Sequence, residues 1–168
     1  MLLGIITPVA DQRPLKIYLD TSIINFAVST QNIAHEKEAT LKLFKRMKEG
    51  KFFPYISEVT IREIMRASER KRNELFQVIE QIQPEELALS DDAEILADRY
   101  IEAKIIPANE RNDALHIAIA AIHNLDAIVS WNFEHMVKLK TRQAVPLVNT
   151  LMGHKNIEIC SPLEVIEP

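Results

Sequence analysis

Only three glycines and a single cysteine occur among the 168 residues. So few glycines exclude a Gly-rich phosphate loop, and neither GxGxxG nor GxxxxGK[ST] is present. They also argue against an all-β fold, whose tight turns draw on glycine for positive φ. Cys160 has no partner for an internal disulfide, so a reducing cytoplasm is the expected compartment. The five histidines show no close pairing with cysteine, which argues against a structural zinc site. The net charge of −4 supplies no global positive field, so a nucleic-acid partner would need a local basic patch. The apolar residues 1–8 lack a basic n-region and are too few to span a membrane; a soluble chain without a membrane partner is expected.

What is present reads as an ordinary globular protein, 47% hydrophobic and 26% charged. Residues 1–14 are expected to be a flexible leader and residues 15–168 one domain. Short apolar runs at 16–20, 52–57, 87–90, 126–130 and 157–160 read as strands. Helical periodicity falls between them, at about 22–29, 35–49, 58–82 with a break near Ser68, 92–104, 113–123, 133–139 and 145–152. Asn112 is the expected cap of the helix at 113–123, which has no polar face and should be buried nearly all round. Strands alternating with helices call for an α/β fold, a mainly parallel sheet covered on both faces.

The chain is organised around Lys16-Ile17-Tyr18-Leu19-Asp20-Thr21-Ser22, a strand ending on an acid and two hydroxyl residues. Ligands of open α/β sheets bind beyond the carboxyl ends of strands, where Asp20 would stand. Asp20 could equally be no more than a helix cap. Glu63 falls a turn or two into the helix after the second strand, and Asp113 on the first turn of the buried helix. Asn132 follows the fourth strand. In a parallel sheet these four positions share one edge. Each also has a plainer reading: Glu63 as a surface residue, Asp113 as a favourable charge at a helix start, Asn132 as a turn residue. Three carboxylates packed together need neutralising, and hard oxygen donors suit Mg²⁺ or Mn²⁺. Acid clusters of this kind serve metal-assisted phosphodiester hydrolysis.

Four blocks together resemble the PIN-domain family of metal-dependent ribonucleases: Tyr18-Leu19-Asp20-Thr21-Ser22-Ile23; Ile56-Ser57-Glu58-Val59-Thr60-Ile61-Arg62-Glu63-Ile64; Asn112-Asp113-Ala114-Leu115-His116-Ile117-Ala118-Ile119-Ala120; and Leu125-Asp126-Ala127-Ile128-Val129-Ser130-Trp131-Asn132-Phe133-Glu134-His135-Met136. The resemblance implies a three-layer α/β/α sandwich around a mainly parallel sheet. It implies an endoribonuclease that hydrolyses RNA with Mg²⁺ or Mn²⁺ as cofactor. By position, Asp20, Glu63 and Asp113 match the family's first three acids, as metal ligands and catalytic residues. Asn132 stands where many members carry a fourth acid; its amide oxygen could still meet a metal or its waters, without adding charge. Thr21, Ser22 and Ser130 are hydroxyls of the same pocket. A single-domain member of this size resembles the toxin of a type II, VapC-type toxin–antitoxin pair, which implies a small antitoxin protein as partner.

An alternative is a catalytically weak or inactive PIN-like module that binds RNA or protein, with Asn132 as the feature in its favour. A receiver-like phosphate-transfer domain is a weaker third reading, and Asp20-Thr21-Ser22 lacks the second Asp of a phosphoaspartate phosphatase. His116 reads first as a packed core histidine close to the pocket. Trp131 could stack on a base or be buried. The basic runs Arg62, Arg66, Arg70, Lys71, Arg72 and Lys138, Lys140, Arg142 are candidates for RNA-backbone contacts. Apolar residues on the helices at about 35–49 and 69–82 could serve a homodimer.

Overall fold

The computed structural model describes residues 13–31 and 34–167. Residues 1–12 of the expected leader lie outside the described residues. Arg13 already belongs to the fold, its guanidinium paired with Asp126 at 2.8 Å.

Strand β1 (Leu15–Leu19) leads directly into α1 (Thr21–Val28), and α2 (Ala34–Lys48) follows. Gly50, at φ 75, takes the left-handed turn that ends α2 and feeds β2 (Phe52–Ser57). Next come α3 (Glu58–Met65), α4 (Glu69–Ile82), β3 (Glu85–Leu87) and α5 (Asp91–Glu102). A single 3-10 turn, Ala108–Glu110, opens α6 (Arg111–Ile122). The chain closes with β4 (Ala127–Val129), α7 (Leu139–Leu151), β5 (Glu158–Cys160) and α8 (Pro162–Ile166). The five strands form one sheet in the order β3-β2-β1-β4-β5, every neighbouring pair parallel.

Strand alternation divides the core between the two faces of the sheet. Ile17, Leu19, Ala127 and Val129 pack with α1, α2 and α4 on one side, whereas Tyr18 and Ile128 pack with α5 and α6 on the other. Helix α6, buried from Ala114 to Ala121, has the all-round burial that its composition demands. The result is the expected three-layer α/β/α sandwich. Its strand order reverses at β1: β2 and β3 lie to one side, β4 and β5 to the other. The switch point therefore falls between β1 and β4, with Asp20 just beyond the end of β1.

Several local expectations shift. The break near Ser68 separates two helices, with the Ser68 hydroxyl accepting from Lys71 N at the start of α4. β3 lies at Glu85–Leu87 rather than 87–90, and Ser90 caps α5. The cap of α6 is Glu110, not Asn112. Residues 133–138 form turns, not a helix, because Asn132 gathers their amides: its carbonyl accepts from Met136 N and Val137 N, its side chain from His135 N. α7 then begins at Leu139 and continues through Pro146, held by buried Val145 and Asn149 at the cost of one backbone bond. The start of α8 went unread, although Ser161-Pro162-Leu163-Glu164 carries its signature; Glu164 Oε2 accepts from Ser161 N at 2.8 Å. On α2 and α4, Leu43, Phe44, Leu75 and Val78 are buried in the core, and Leu41 is left exposed.

Candidate functional site

Asp20 occupies the N-cap position of α1, yet its side chain makes no capping bond. Both carboxylate oxygens are taken by hydroxyls instead: Ser22 Oγ donates to Oδ1 at 2.5 Å, and Ser130 Oγ to Oδ2 at 2.6 Å. The two serines are themselves fixed from the end of β4, Ser22 Oγ accepting from Trp131 N and Ser130 Oγ from Asn132 N, both at 2.9 Å. Burial raises the Asp20 pKa, against the field of His116 and the two serine bonds, which act to lower it. A carboxylate held this way is costly to ionise unless a cation faces it.

Glu63 projects from α3, whose start is fixed by Ser57 Oγ accepting from Val59 N at 3.2 Å. Its Oε1 accepts from Thr21 Oγ1 at 2.9 Å and from His116 Nε2 at 2.5 Å. Behind it a relay runs inward, His116 Nδ1 to Tyr18 OH at 2.6 Å and Tyr18 OH to Ser57 Oγ at 2.6 Å. Burial works against a charged His116, but Tyr18, Glu63 and Asp20 outweigh it and hold its pKa at about 10. Burial likewise pushes Glu63 up, and the bond and charge of His116 with the Thr21 bond bring it below its ordinary value. At neutral pH the two form a buried imidazolium–carboxylate pair, with the imidazolium donating on both sides.

Asp113 stands on the first turn of α6, and burial lifts its pKa to about 6, with His116 and the Asn132 bond opposing and Asp20 and Glu110 adding to the rise. Its Oδ2 accepts from Asn132 Nδ2 at 2.9 Å. The amide orientation is fixed by chemistry, since Asn132 Oδ1 accepts from the backbone N–H of His135 at 3.0 Å. Asn132 thus presents its NH₂, not its oxygen, to the acid.

Asp20, Glu63 and Asp113 stand near enough for Asp20 to feel the charge of Glu63 and Asp113 that of Asp20. Each acid is braced by a polar side chain from a different element, but the ligand atoms of the three do not all lie within 4.8 Å of one another. Thr21, Ser22 and Ser130 are among these braces. The three acids are spaced apart by their hydroxyl and imidazole partners. Among the described residues, the His, Asp and Glu side chains whose ligand atoms all lie within 4.8 Å of one another are Glu110, Asp113 and His135. Sequence analysis missed Glu110 and His135 as site residues, and Tyr18 as the support of His116. Glu110 and Asp113 do carry the i, i+3 spacing that puts two residues on one helix face.

Trp131 is buried, its Nε1 donating to Thr40 Oγ1 at 2.8 Å and its ring stacked on Phe26. That settles it as a core residue. In the basic runs, Arg62, Arg70 and Arg142 pair with Glu58, Glu74 and Glu164. Arg66 adds its field to Glu63.

Among curated proteins none matches this chain. Solved structures do share its fold. The VapBC2 complex of Rickettsia felis, bound to a DNA fragment from its promoter, matches with TM-score 0.55 at 16% identity, over 88% of this chain and 98% of the other. DNA-bound VapBC from Salmonella typhimurium matches with TM-score 0.54 at 18% identity, over 88% and 98%. VapC20 of Mycobacterium tuberculosis, a sarcin–ricin loop cleaving toxin, gives TM-score 0.50 at 14% identity, over 71% and 92%. The PIN domain profile matches residues 17–134, a span holding Asp20, Glu63, Asp113 and Asn132 together with every hydroxyl that braces them, and the chain belongs to the PIN-domain family.

Proposed function

We propose that the protein is a metal-dependent endoribonuclease and the toxin half of a VapC-type toxin–antitoxin pair. The observation that supports the reading is Asp20: it sits at the sheet's switch point in a capping position, yet its carboxylate makes no capping bond, is held by Ser22 and Ser130, and lies within the electrostatic reach of Glu63 and Asp113. The donor set fits Mg²⁺ or Mn²⁺, being hard carboxylate oxygens, two of them raised in pKa by burial and so short of positive charge. Three carboxylates against the one imidazolium of His116 leave an excess that a single divalent cation balances. Asp20, Glu63 and Asp113 would hold that cation, which supplies acidified water and offsets the charge that builds on a phosphoryl group during in-line attack.

The chain's own residues do the positioning. Ser22 and Ser130 fix both oxygens of Asp20, Thr21 and His116 fix Glu63, and the Asn132 amide fixes Asp113. Arg66, on the rim beside Glu63, is suited to an RNA phosphate. A small antitoxin covering this acidic edge is the partner that the VapBC neighbours suggest. The second reading, a weakly catalytic RNA- or protein-binding module, is favoured by one observation: Asn132 offers a donor to Asp113 where an additional acid would offer a ligand.

The test is cleavage of varied RNAs by protein freed of any copurified partner, with Mg²⁺ or Mn²⁺ against EDTA, and with the Asp20→Asn variant. Cleavage that needs both the metal and Asp20 supports the nuclease. Metal binding without cleavage moves the reading to the binding module.

A further inference from the structure

Glu110 stands at the N-cap of α6 with no capping bond from its side chain, and Asp113 lies one turn further along the same helix. His135 approaches them from the turns after β4. Its backbone is anchored on both sides, N–H donating to Asn132 Oδ1 at 3.0 Å and carbonyl accepting from Thr141 Oγ1 at 2.8 Å. One ligand atom from each of the three residues lies within 4.8 Å of the other two. The His135 ring also carries a defect: Nδ1 is shut off from solvent and has no hydrogen-bond partner among the described residues. A buried nitrogen left unsatisfied costs about 1–3 kcal/mol, so a ring held in this state calls for an explanation. Neighbouring Glu134 does not supply one, being 3.8 Å from the other ring nitrogen and largely solvent-exposed.

We infer that Glu110, Asp113 and His135 form a second divalent-cation site, sharing Asp113 with the pocket of Asp20 and Glu63. Glu110 and Asp113 offer carboxylate oxygens and His135 an imidazole nitrogen, with Asp113 shared between the two sites. The nitrogen donor selects among cations: imidazole favours Zn²⁺ and Co²⁺, which stand later in the affinity order for such sites, whereas Mg²⁺ and Mn²⁺ are suited by carboxylate oxygen and water. This placement gives Asn132 a role. Its amide does not replace a missing acid; it orients both Asp113 and the His135 backbone, while Glu110 and His135 supply the ligands. The site deepens the metal-dependent reading above through its shared Asp113, but its occupancy is measured without RNA and without turnover.

The experiment titrates the full chain, stripped with EDTA, with Mn²⁺ followed by electron paramagnetic resonance, with Co²⁺ followed by visible absorption, and with Mg²⁺ by competition. Glu110→Gln is expected to weaken both Mn²⁺ and Co²⁺ binding at one site by about tenfold or more, and His135→Gln to weaken Co²⁺ by that much and Mn²⁺ by less. In His135→Gln, which keeps both carboxylates, Mg²⁺ binding should move by less than about threefold. The Co²⁺ spectrum of His135→Gln should change shape with loss of the nitrogen ligand. Asp20→Asn should leave this class of Mn²⁺ site in place, and that result keeps the inference standing even if no RNA is cleaved. Mn²⁺ and Co²⁺ affinities and a Co²⁺ spectrum unchanged in both variants would overturn it, leaving the three side chains as hydrogen-bonding neighbours only. Should His135→Gln fail to fold, Glu110→Gln decides the matter alone.

Discussion

Replacing His116 by glutamine retains a donor toward Glu63 Oε1 but removes the positive charge from the pair. The imidazole is 2% exposed and the Glu63 side chain 29%, so solvent screens their interaction little. Folding raises the His116 pKa from 6.5 to about 10. A raised histidine adds stability that is complete below the unfolded pKa and is lost as pH climbs through the folded one. By linkage the contribution is roughly 4 kcal/mol at pH 7 and roughly 1–2 kcal/mol at pH 9. The first figure agrees with the ~3–5 kcal/mol typical of breaking a buried ion pair from one side. Urea unfolding of the wild type and His116→Gln, both in EDTA, measures the difference at each pH. We expect the advantage of the wild type to shrink by about 2–3 kcal/mol between pH 7 and pH 9. The double variant His116→Gln/Glu63→Gln should recover part of the loss, because no unpaired buried charge then remains. A wild-type advantage that stays flat across this pH range would refute the charged pair.

Asp113 gives the opposite sign. Its folded pKa of about 6 lies above the ordinary 3.8, so the metal-free fold bears a cost that is full above pH 6 and fades as pH falls toward 4. After discounting for solvent screening, Asp113→Asn should therefore unfold about 1–2 kcal/mol later than the wild type at pH 7.5 in EDTA, while losing RNA cleavage; equal stability at pH 7.5 counts against the desolvated acid. Cation binding must strip the proton from Asp113, so calorimetry in buffers of different ionisation enthalpy should find about half a proton released at pH 6 and close to none at pH 8. Ser130→Ala removes a hydroxyl from Asp20 and leaves the Asn132 N–H without its acceptor, costing about 1–3 kcal/mol in thermal or urea unfolding. The Ser130→Ala cleavage rate should fall further than that loss of fold explains, read at a temperature where both proteins are folded.

The sheet and its layers were legible because they rest on alternation. Ile17, Tyr18 and Leu19 form a short apolar run buried on both faces, and α6 has no polar face to expose. The parallel topology accounts for the common edge of Asp20, which ends β1, and Asp113, on the first turn of α6, whereas Glu63 stands on the second turn of α3. Partner choices were not legible. Nothing in the spacing says that Tyr18 reaches both His116 and Ser57, or that the Asn132 oxygen turns back to a backbone N–H. Such bonds depend on how elements distant in sequence approach one another. Residues 133–139 were misread for a related reason: Phe133, Met136 and Val137 mimic helical spacing, whereas Asn132 diverts the amides into turns. Glu110 and His135 escaped notice because their meeting is made by the turns after β4 coming down on the start of α6.

The account depends most on where a cation sits. Crystals of the protein soaked in Mn²⁺ and measured for anomalous scattering answer this directly. The account predicts an anomalous peak bounded by the carboxylates of Asp20, Glu63 and Asp113, absent from crystals of Asp20→Asn. Well-ordered Mn²⁺ elsewhere with none at these three acids would contradict it.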